Sequence, residues 1–139
     1  MKYAAEGNAD AFVSAGSTGA VVVGGTFICK RIKGVKRPCI TAFLPVGATG
    51  TLLVDCGANA ECTPEFLLQF GLVGSLYAKK YLGLENPKVG LLNIGTEDSK
   101  GTQLQKDAYA LLTDAGQKGL INFVGNVEAR NVPLGEVDV

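Results

Sequence analysis

Lys88-Val-Gly-Leu-Leu-Asn-Ile-Gly-Thr-Glu-Asp-Ser-Lys-Gly101 is the stretch from which the fold can be read. Val89 to Ile94 is an apolar run of strand length, bounded by turn residues. It breaks at Gly95 into the polar cluster Thr96-Glu97-Asp98-Ser99-Lys100-Gly101. Leu104, Ala108, Leu111, Leu112 and Ala115 then recur at helical spacing and predict one apolar helix face. The cluster thus lies between the carboxyl end of a strand and the amino end of a helix. Open α/β sheets bind ligands at that junction, because free backbone N–H groups and the helix dipole converge there.

The same pattern recurs upstream. Ala9 to Ala15 reads as a strand, Gly16-Ser17-Thr18-Gly19 as a turn, and Ala20 to Ile32 as a helix with Ser17 or Thr18 as its N-cap. Lys30, Arg31 and Lys33 suit the negative end of that helix, and Gly34 stops it. Cys39 to Val46 and Thr51 to Cys56 are strands joined by the turn Gly47-Ala-Thr-Gly50, a pattern open to a hairpin. Thr63 and Pro64 fit the N-cap and first helical positions of a helix reaching Leu82. Its faces are Phe66, Phe70, Val73, Tyr77 and Tyr81 on one side and Leu67, Leu68, Leu72 and Leu76 on another. Such a helix is expected to bury one side on the sheet and the other on a second chain or domain.

Downstream, Leu120 to Val124 is a strand ending in the polar run Gly125 to Arg130, and Val137 to Val139 opens another. Met1 to Asn8 reads as the tail of a helix stopped by Gly7-Asn8. Strands alternating with helices, each strand closing on Gly plus Ser, Thr, Asn or Asp, predict an α/β sheet with parallel strands. The whole of 1–139 reads as one domain, with both ends falling inside an element.

Composition narrows the chemistry. Glycine makes up 19 of 139 residues, about twice the usual share, and most fall where apolar runs end. Thirteen basic and thirteen acidic residues cancel, which sets nucleic acid aside as a partner. The absence of histidine excludes imidazole triads and imidazole-bound zinc within the chain. Cys29, Cys39, Cys56 and Cys62 include no Cys-x-x-Cys pair and read as buried free thiols of a reducing cytoplasm. There is no signal peptide pattern and no apolar run of spanning length.

Four strand ends carry polar groups: Ser14 to Gly19, Asp55 to Asn59, Asn93 to Gly101 and Gly125 to Arg130. In a parallel sheet all four face one way, although each alone also reads as an ordinary turn. Gly16 to Gly19 offers backbone N–H groups and hydroxyls to an anion. Lys100 sits at the foot of its helix, where the dipole does not favour a cation, and that misfit points to anion binding. Glu97 and Asp98 read equally as caps and as acids. Lys30, Arg31, Lys33, Lys36 and Arg37 read as a solvated helix end or as a surface for an acidic partner.

These strand ends carry a family resemblance. Asp10-Ala-Phe-Val-Ser-Ala-Gly-Ser-Thr-Gly-Ala20, Leu53-Val-Asp-Cys-Gly-Ala-Asn59, Pro87 to Gly95 with Lys100-Gly101, and Ile121 to Glu128 with Gly135 to Val139 are similar to PlsX, the bacterial phosphate acyltransferases of phospholipid synthesis. The likeness spans Glu6 to Val139 in the family's order. It implies a three-layer sandwich with a mostly parallel sheet, related to phosphotransacetylases and isocitrate-dehydrogenase-like enzymes. It implies transfer of an acyl chain from acyl carrier protein to inorganic phosphate, giving acyl phosphate and free carrier. It also implies a cytoplasmic homodimer with peripheral membrane association and no organic cofactor, and no metal site is expected.

For that reaction, Gly16, Ser17, Thr18 and Gly19, with Asn93 and Lys100, are the expected anion-binding groups. Asn59 and Asn126 are expected donors to substrate or oxyanion, and Glu97 the proton carrier. The family commonly carries Asn, Val and Gly where this chain has Ser17, Cys56 and Ala129. Its earlier strand with an Asp- and Gly-rich loop, and its later membrane-contacting and dimer-forming parts, have no counterpart here. The chain is therefore expected to be a central piece that is inactive alone. Two rival readings are a short-chain phosphotransacetylase using coenzyme A and a non-catalytic binding fragment.

Overall fold

The structure, a computed structural model, describes residues 1–139. Its elements in chain order are α1 (Lys2–Ala5), α2 (Thr18–Gly24) running into a π turn (Gly25–Cys29), β1 (Thr41–Leu44), β2 (Thr51–Val54), α3 (Pro64–Tyr81), β3 (Lys88–Asn93), α4 (Gln103–Gln117), β4 (Asn122–Glu128) and a 3-10 turn (Val132–Leu134). The α/β class read from the sequence is the class observed.

β1 and β2 form an antiparallel hairpin, Thr41 opposite Val54 and Leu44 opposite Thr51. β3 and β4 pair in parallel, with Val124 bulged out between the Val89–Phe123 and Gly90–Gly125 partners. The segment Val137 to Val139 joins the two pairs. The Leu52 N–H donates to the Asp138 carbonyl over 2.8 Å. On the other side, Val139 N–H donates to the Lys88 carbonyl (3.0 Å) and Gly90 N–H donates to the Val139 carbonyl (2.8 Å). One residue bonded to the residues before and after its opposite number is the parallel ladder pattern. The Thr51 hydroxyl adds a 2.6 Å bond to the Val137 carbonyl. Val137 and Val139 are buried accordingly.

Helices α3 and α4 pack on each other and on the sheet, α3 against β2 and β3, α4 against β3 and β4. The core between them is Leu52, Ala78, Val89, Leu91, Ala108, Leu112, Ala115, Ile121 and Val139. α3 begins where its local signals placed it, and α4 begins later than the acidic cluster. Thr63 is the N-cap of α3, with Pro64 in its first turn. Thr102 is the N-cap of α4, and Gln105 Oε1 accepts the Thr102 N–H at 2.8 Å, the reciprocal half of a capping box. Neither Glu97 nor Asp98 caps that helix.

Four sequence expectations are corrected. Ala9 to Ala15 is not a strand; its side chains are exposed and its backbone makes no backbone hydrogen bond. Strand propensity there has no neighbour to pair with, and pairing is what makes a strand. The helix after Gly19 ends at Cys29, because Lys30 turns to φ 66°, so the basic residues lie beyond its end.

β4 runs on to Glu128, which places Gly125 to Glu128 inside the strand. The sheet-facing side of α3 is neither predicted face alone. Phe70 is buried beside Gly71, Gly74, Ser75 and Ala78, while Leu76, Tyr77 and Tyr81 face outward. Small residues let the helix backbone approach the sheet: a Cβ on Gly74 would stand 2.6 Å from Val139 Cγ1 and 3.2 Å from Val54 Cγ1.

Candidate functional site

Asn93 ends β3 with its side chain buried, and it organises the loop that follows. Its Nδ2 donates to the Lys100 carbonyl and to Asn126 Oδ1, each over 3.1 Å. Its Oδ1 accepts the Ile94 N–H at 2.8 Å. Asn126, on β4 two residues before Glu128, the register partner of Asn93, and equally buried, donates from Nδ2 to the Glu97 carbonyl over 2.7 Å. Two buried amides, one at the end of β3 and one inside β4, thus grip both arms of the loop Ile94 to Lys100. The grip requires glycine at Gly101, where, at φ +87°, a Cβ would meet Asn93 Oδ1 at 2.6 Å; at Gly95 a Cβ would instead crowd the exposed Lys100 side chain, 2.9 Å from its Cγ.

What the loop presents is a charge pair. Lys100 Nζ lies 3.9 Å from Glu97 Oε1, with both side chains largely exposed. Lys100 is the only cation this loop offers, and its approach to Glu97 is too loose to consume its donors. The sequence singled out Asn93, Glu97, Lys100 and Asn126, and the structure brings these four together.

Asn59 belongs to a second cluster. Asp55, at the end of β2, accepts the Ile40 N–H at Oδ1 (2.7 Å), and at Oδ2 the Asn59 N–H (2.8 Å) and Asn59 Nδ2 (3.1 Å). Asn59 Nδ2 also donates to the Pro38 carbonyl over 2.9 Å. Both hydrogens of its amide are therefore engaged within the protein. The sequence reading passed over Asp55 as a site residue, though it holds this whole turn. Its charge also acts on nearby thiols. Burial pushes the Cys39 and Cys62 thiols above their ordinary range, and the Asp55 carboxylate adds to both shifts.

Between the two clusters lies a cavity of about 360 Å³ under α3 and α4. Leu53, Leu67, Val89 and Leu112 give it apolar walls; Asp55 and Asn59 stand on one side and Gln105 on the other. The Gly16 to Gly19 turn stands apart. It is exposed, and its one side-chain bond is local, from the Gly16 N–H to Ser14 Oγ at 3.1 Å. Ser17 is the N-cap of α2 by position but makes no capping bond. No hydrogen bond joins this turn to Asn93, Lys100 or Asn126.

No group of three or more Cys, Asp or Glu side chains is arranged to hold a metal ion. No helix is long and apolar enough to cross a membrane.

Comparison with known proteins adds the family. The phosphate acyltransferase of Caldicellulosiruptor saccharolyticus is 51% identical over 139 residues, which cover all of this chain and 41% of that protein. The phosphate acyltransferase of Desulfitobacterium hafniense is 53% identical over 131 residues, covering 94% of this chain and 38% of that protein. The chain thus spans about two fifths of the length of these relatives. Among solved structures, the EutD phosphotransacetylase from Staphylococcus aureus superposes with a TM-score of 0.66 at 23% identity. That match covers 98% of this chain and 46% of the other, and it shows the shared fold. The family model described as fatty acid synthesis protein matches residues 1–139, and the chain belongs to that family.

Proposed function

We propose that this chain is the part of a phosphate acyltransferase that carries its anion-binding loop. In the reaction, an oxygen of inorganic phosphate attacks the thioester carbonyl of an acyl chain on acyl carrier protein. The carbon–sulfur bond breaks, acyl phosphate forms, and the carrier thiolate leaves and takes up a proton. The product feeds phospholipid synthesis, at the inner face of the membrane, in a cytoplasmic homodimer.

The observation that carries this reading is the loop Ile94 to Lys100, gripped by Asn93 and Asn126 and presenting Lys100 beside Glu97. Phosphate attack requires no protein nucleophile, so the reaction needs positioning and charge rather than a triad. Lys100 supplies the cation. Asn93 and Asn126 act as positioning residues, because their amides are committed to the loop. Ser17, Thr18 and the Gly16 to Gly19 backbone, the other donors expected for the anion, stand apart from this loop, and Glu97 is the proton carrier. Asn59 shapes the far wall, and the apolar cavity between Asn59 and Gln105 suits the start of an acyl chain.

The test is acyl phosphate formation from acyl carrier protein and phosphate, run on this chain and on a version extended to the relatives' length. Activity in the extended version, lost on Lys100→Ala with the fold intact, is expected. Activity in neither overturns the reading. Turnover of acetyl phosphate with coenzyme A alone favours a short-chain phosphotransacetylase.

A further inference from the structure

The balanced total charge hides a segregation. Between Asp10 and Asp55 there is no acidic residue, while Lys30, Arg31, Lys33, Lys36 and Arg37 supply five cations within eight positions. The remainder of the chain is correspondingly acidic. None of these five cations has a carboxylate within 4 Å. Like charges this close repel one another, and a bound anion relieves that repulsion.

The fold concentrates three of these cations. Arg31, Lys36 and Arg37 line one cavity of about 310 Å³ together with Thr26 and Asn59, and no acid lines it. The loop that carries them is built rather than loose. Gln69 on α3 accepts the Lys36 N–H at 2.9 Å and donates from Nε2 to the Gly34 carbonyl over 3.1 Å. Arg31 donates from Nη1 to the Lys36 carbonyl. The Arg37 guanidinium sits 5.8 Å from the centre of the Phe66 ring, a cation–π distance. The nearest acids are otherwise occupied or exposed. Asp55 accepts three donors from Ile40 and Asn59. Glu65 is fully exposed, and its carboxyl is held below the usual range first by the Thr63 hydroxyl and only lastly by Lys36.

We infer that this cavity is a binding site for a phosphate group, separate from the loop Ile94 to Lys100. Guanidinium forks and an ammonium around a pocket of this size match a tetrahedral phosphate anion and give charge-assisted bonds. Two sources share that chemistry: free inorganic phosphate, and the phosphate on the pantetheine arm of a carrier. The second rests on the carrier-dependent reaction proposed above, and the first does not.

The experiment is a titration of the isotope-labelled chain, followed by backbone amide shifts, with inorganic phosphate, 4′-phosphopantetheine and pantetheine as probes. Saturable shifts at Thr26, Lys36 and Asn59 are expected with a phosphate-bearing probe and not with pantetheine. The tighter of the two phosphate probes identifies the source. Lys36→Gln is the first variant, because Lys36 enters the loop's structure only through its backbone. It is expected to weaken binding about tenfold, the effect of one charge-assisted bond. Arg31→Gln is expected to do at least as much, and Lys118→Gln to change nothing. Shifts confined to Gly16–Gly19 and Asn93–Gly101 overturn the site, as do equal binding of pantetheine or unchanged affinity in Lys36→Gln. Loss of acyltransferase activity in the extended protein bears on the proposed reaction and leaves the titration standing.

Discussion

Asn93 Nδ2 donates to Asn126 Oδ1 across the parallel pair β3–β4, 3.1 Å apart, with both side chains buried. The bond joins residues 33 positions apart in sequence. It joins the end of β3 to β4 as one platform, because each amide also donates to the loop between β3 and α4. The alanine variants follow from that. Asn93→Ala strands the Ile94 N–H and the Lys100 carbonyl as well as the Asn126 amide, at roughly 2–4 kcal/mol of stability. Asn126→Ala leaves fewer orphans and costs about 1–2 kcal/mol by the same rule. The double variant falls short of their sum, since both remove the shared bond. Urea denaturation of the four proteins checks all three values.

The platform was half legible in the sequence. Asn93, Glu97 and Lys100 stand out because polar residues interrupt an apolar run where a strand should end. Asn126 stands out for the same reason, although β4 extends past it. Their mutual bond was not legible, because it depends on parallel pairing in a register shifted by a bulge at Val124. Thr63-Pro64 started a helix where the sequence put it, whereas the cap of α4 proved to be Thr102 with Gln105 rather than Glu97 or Asp98. Ala9 to Ala15 did not form, because a strand is defined by a neighbour. The buried side of α3 was also misread: a search for large apolar residues passes over Gly71 and Gly74, whose lack of a side chain is what permits close packing.

Those two glycines separate the gain in helix propensity from the cost of crowding. Alanine gains about 1 kcal/mol over glycine inside a helix. At Gly71 the new Cβ meets Leu112 Cδ2 at 3.1 Å and Val89 Cγ1 at 3.4 Å, which a small shift relieves. At Gly74 it meets Val139 Cγ1 at 2.6 Å, and the stiff, β-branched valine has little room to move. Overpacking of this kind costs about 1–3 kcal/mol. Gly71→Ala should therefore be near neutral and Gly74→Ala destabilising. A thermal melt of each variant decides it, and equal midpoints would mean that the Val137–Val139 segment yields more easily than its burial implies.

Lys100 gives the opposite contrast, between stability and activity. Its pair with Glu97 is exposed and 3.9 Å long, so breaking it changes stability by no more than about 0.5 kcal/mol. If Lys100 holds the attacking phosphate, its loss removes charge stabilisation at the reacting atoms, an effect of order 10²-fold in turnover. Lys100→Ala in the extended protein should keep its denaturation midpoint and lose activity on that scale. Lys118→Ala, which breaks the 2.6 Å exposed pair with Asp114, should alter neither by comparable amounts. A full-length Lys100→Ala enzyme with normal turnover would remove Lys100 from the reaction.

The thiols give a pH prediction with a definite sign. Burial raises the Cys39 pKa first, the Asp55 carboxylate second, and Cys56 adds a little, against a lowering by the Cys39 backbone N–H. Burial and then Asp55 raise Cys62 in the same direction. The thiolate is the form that alkylates, so both residues should react slowly near neutral pH. Cys29, which is exposed, should label first. The folded chain holds the Cys39 and Cys62 protons more tightly than the unfolded chain, whose thiols titrate near about 8.5. Their contribution to stability is therefore complete below that value and declines as pH rises through it towards the raised folded pKa. Iodoacetamide labelling read by peptide mass should give Cys29 ahead of Cys39 and Cys62 at about pH 7. The gap should close only when the solution is made more alkaline. Urea midpoints should fall over the same alkaline interval, and Cys39→Ala should flatten part of that fall. Equal labelling of Cys39 and Cys29 near neutrality would mean that the Asp55 turn opens faster than the reagent reacts.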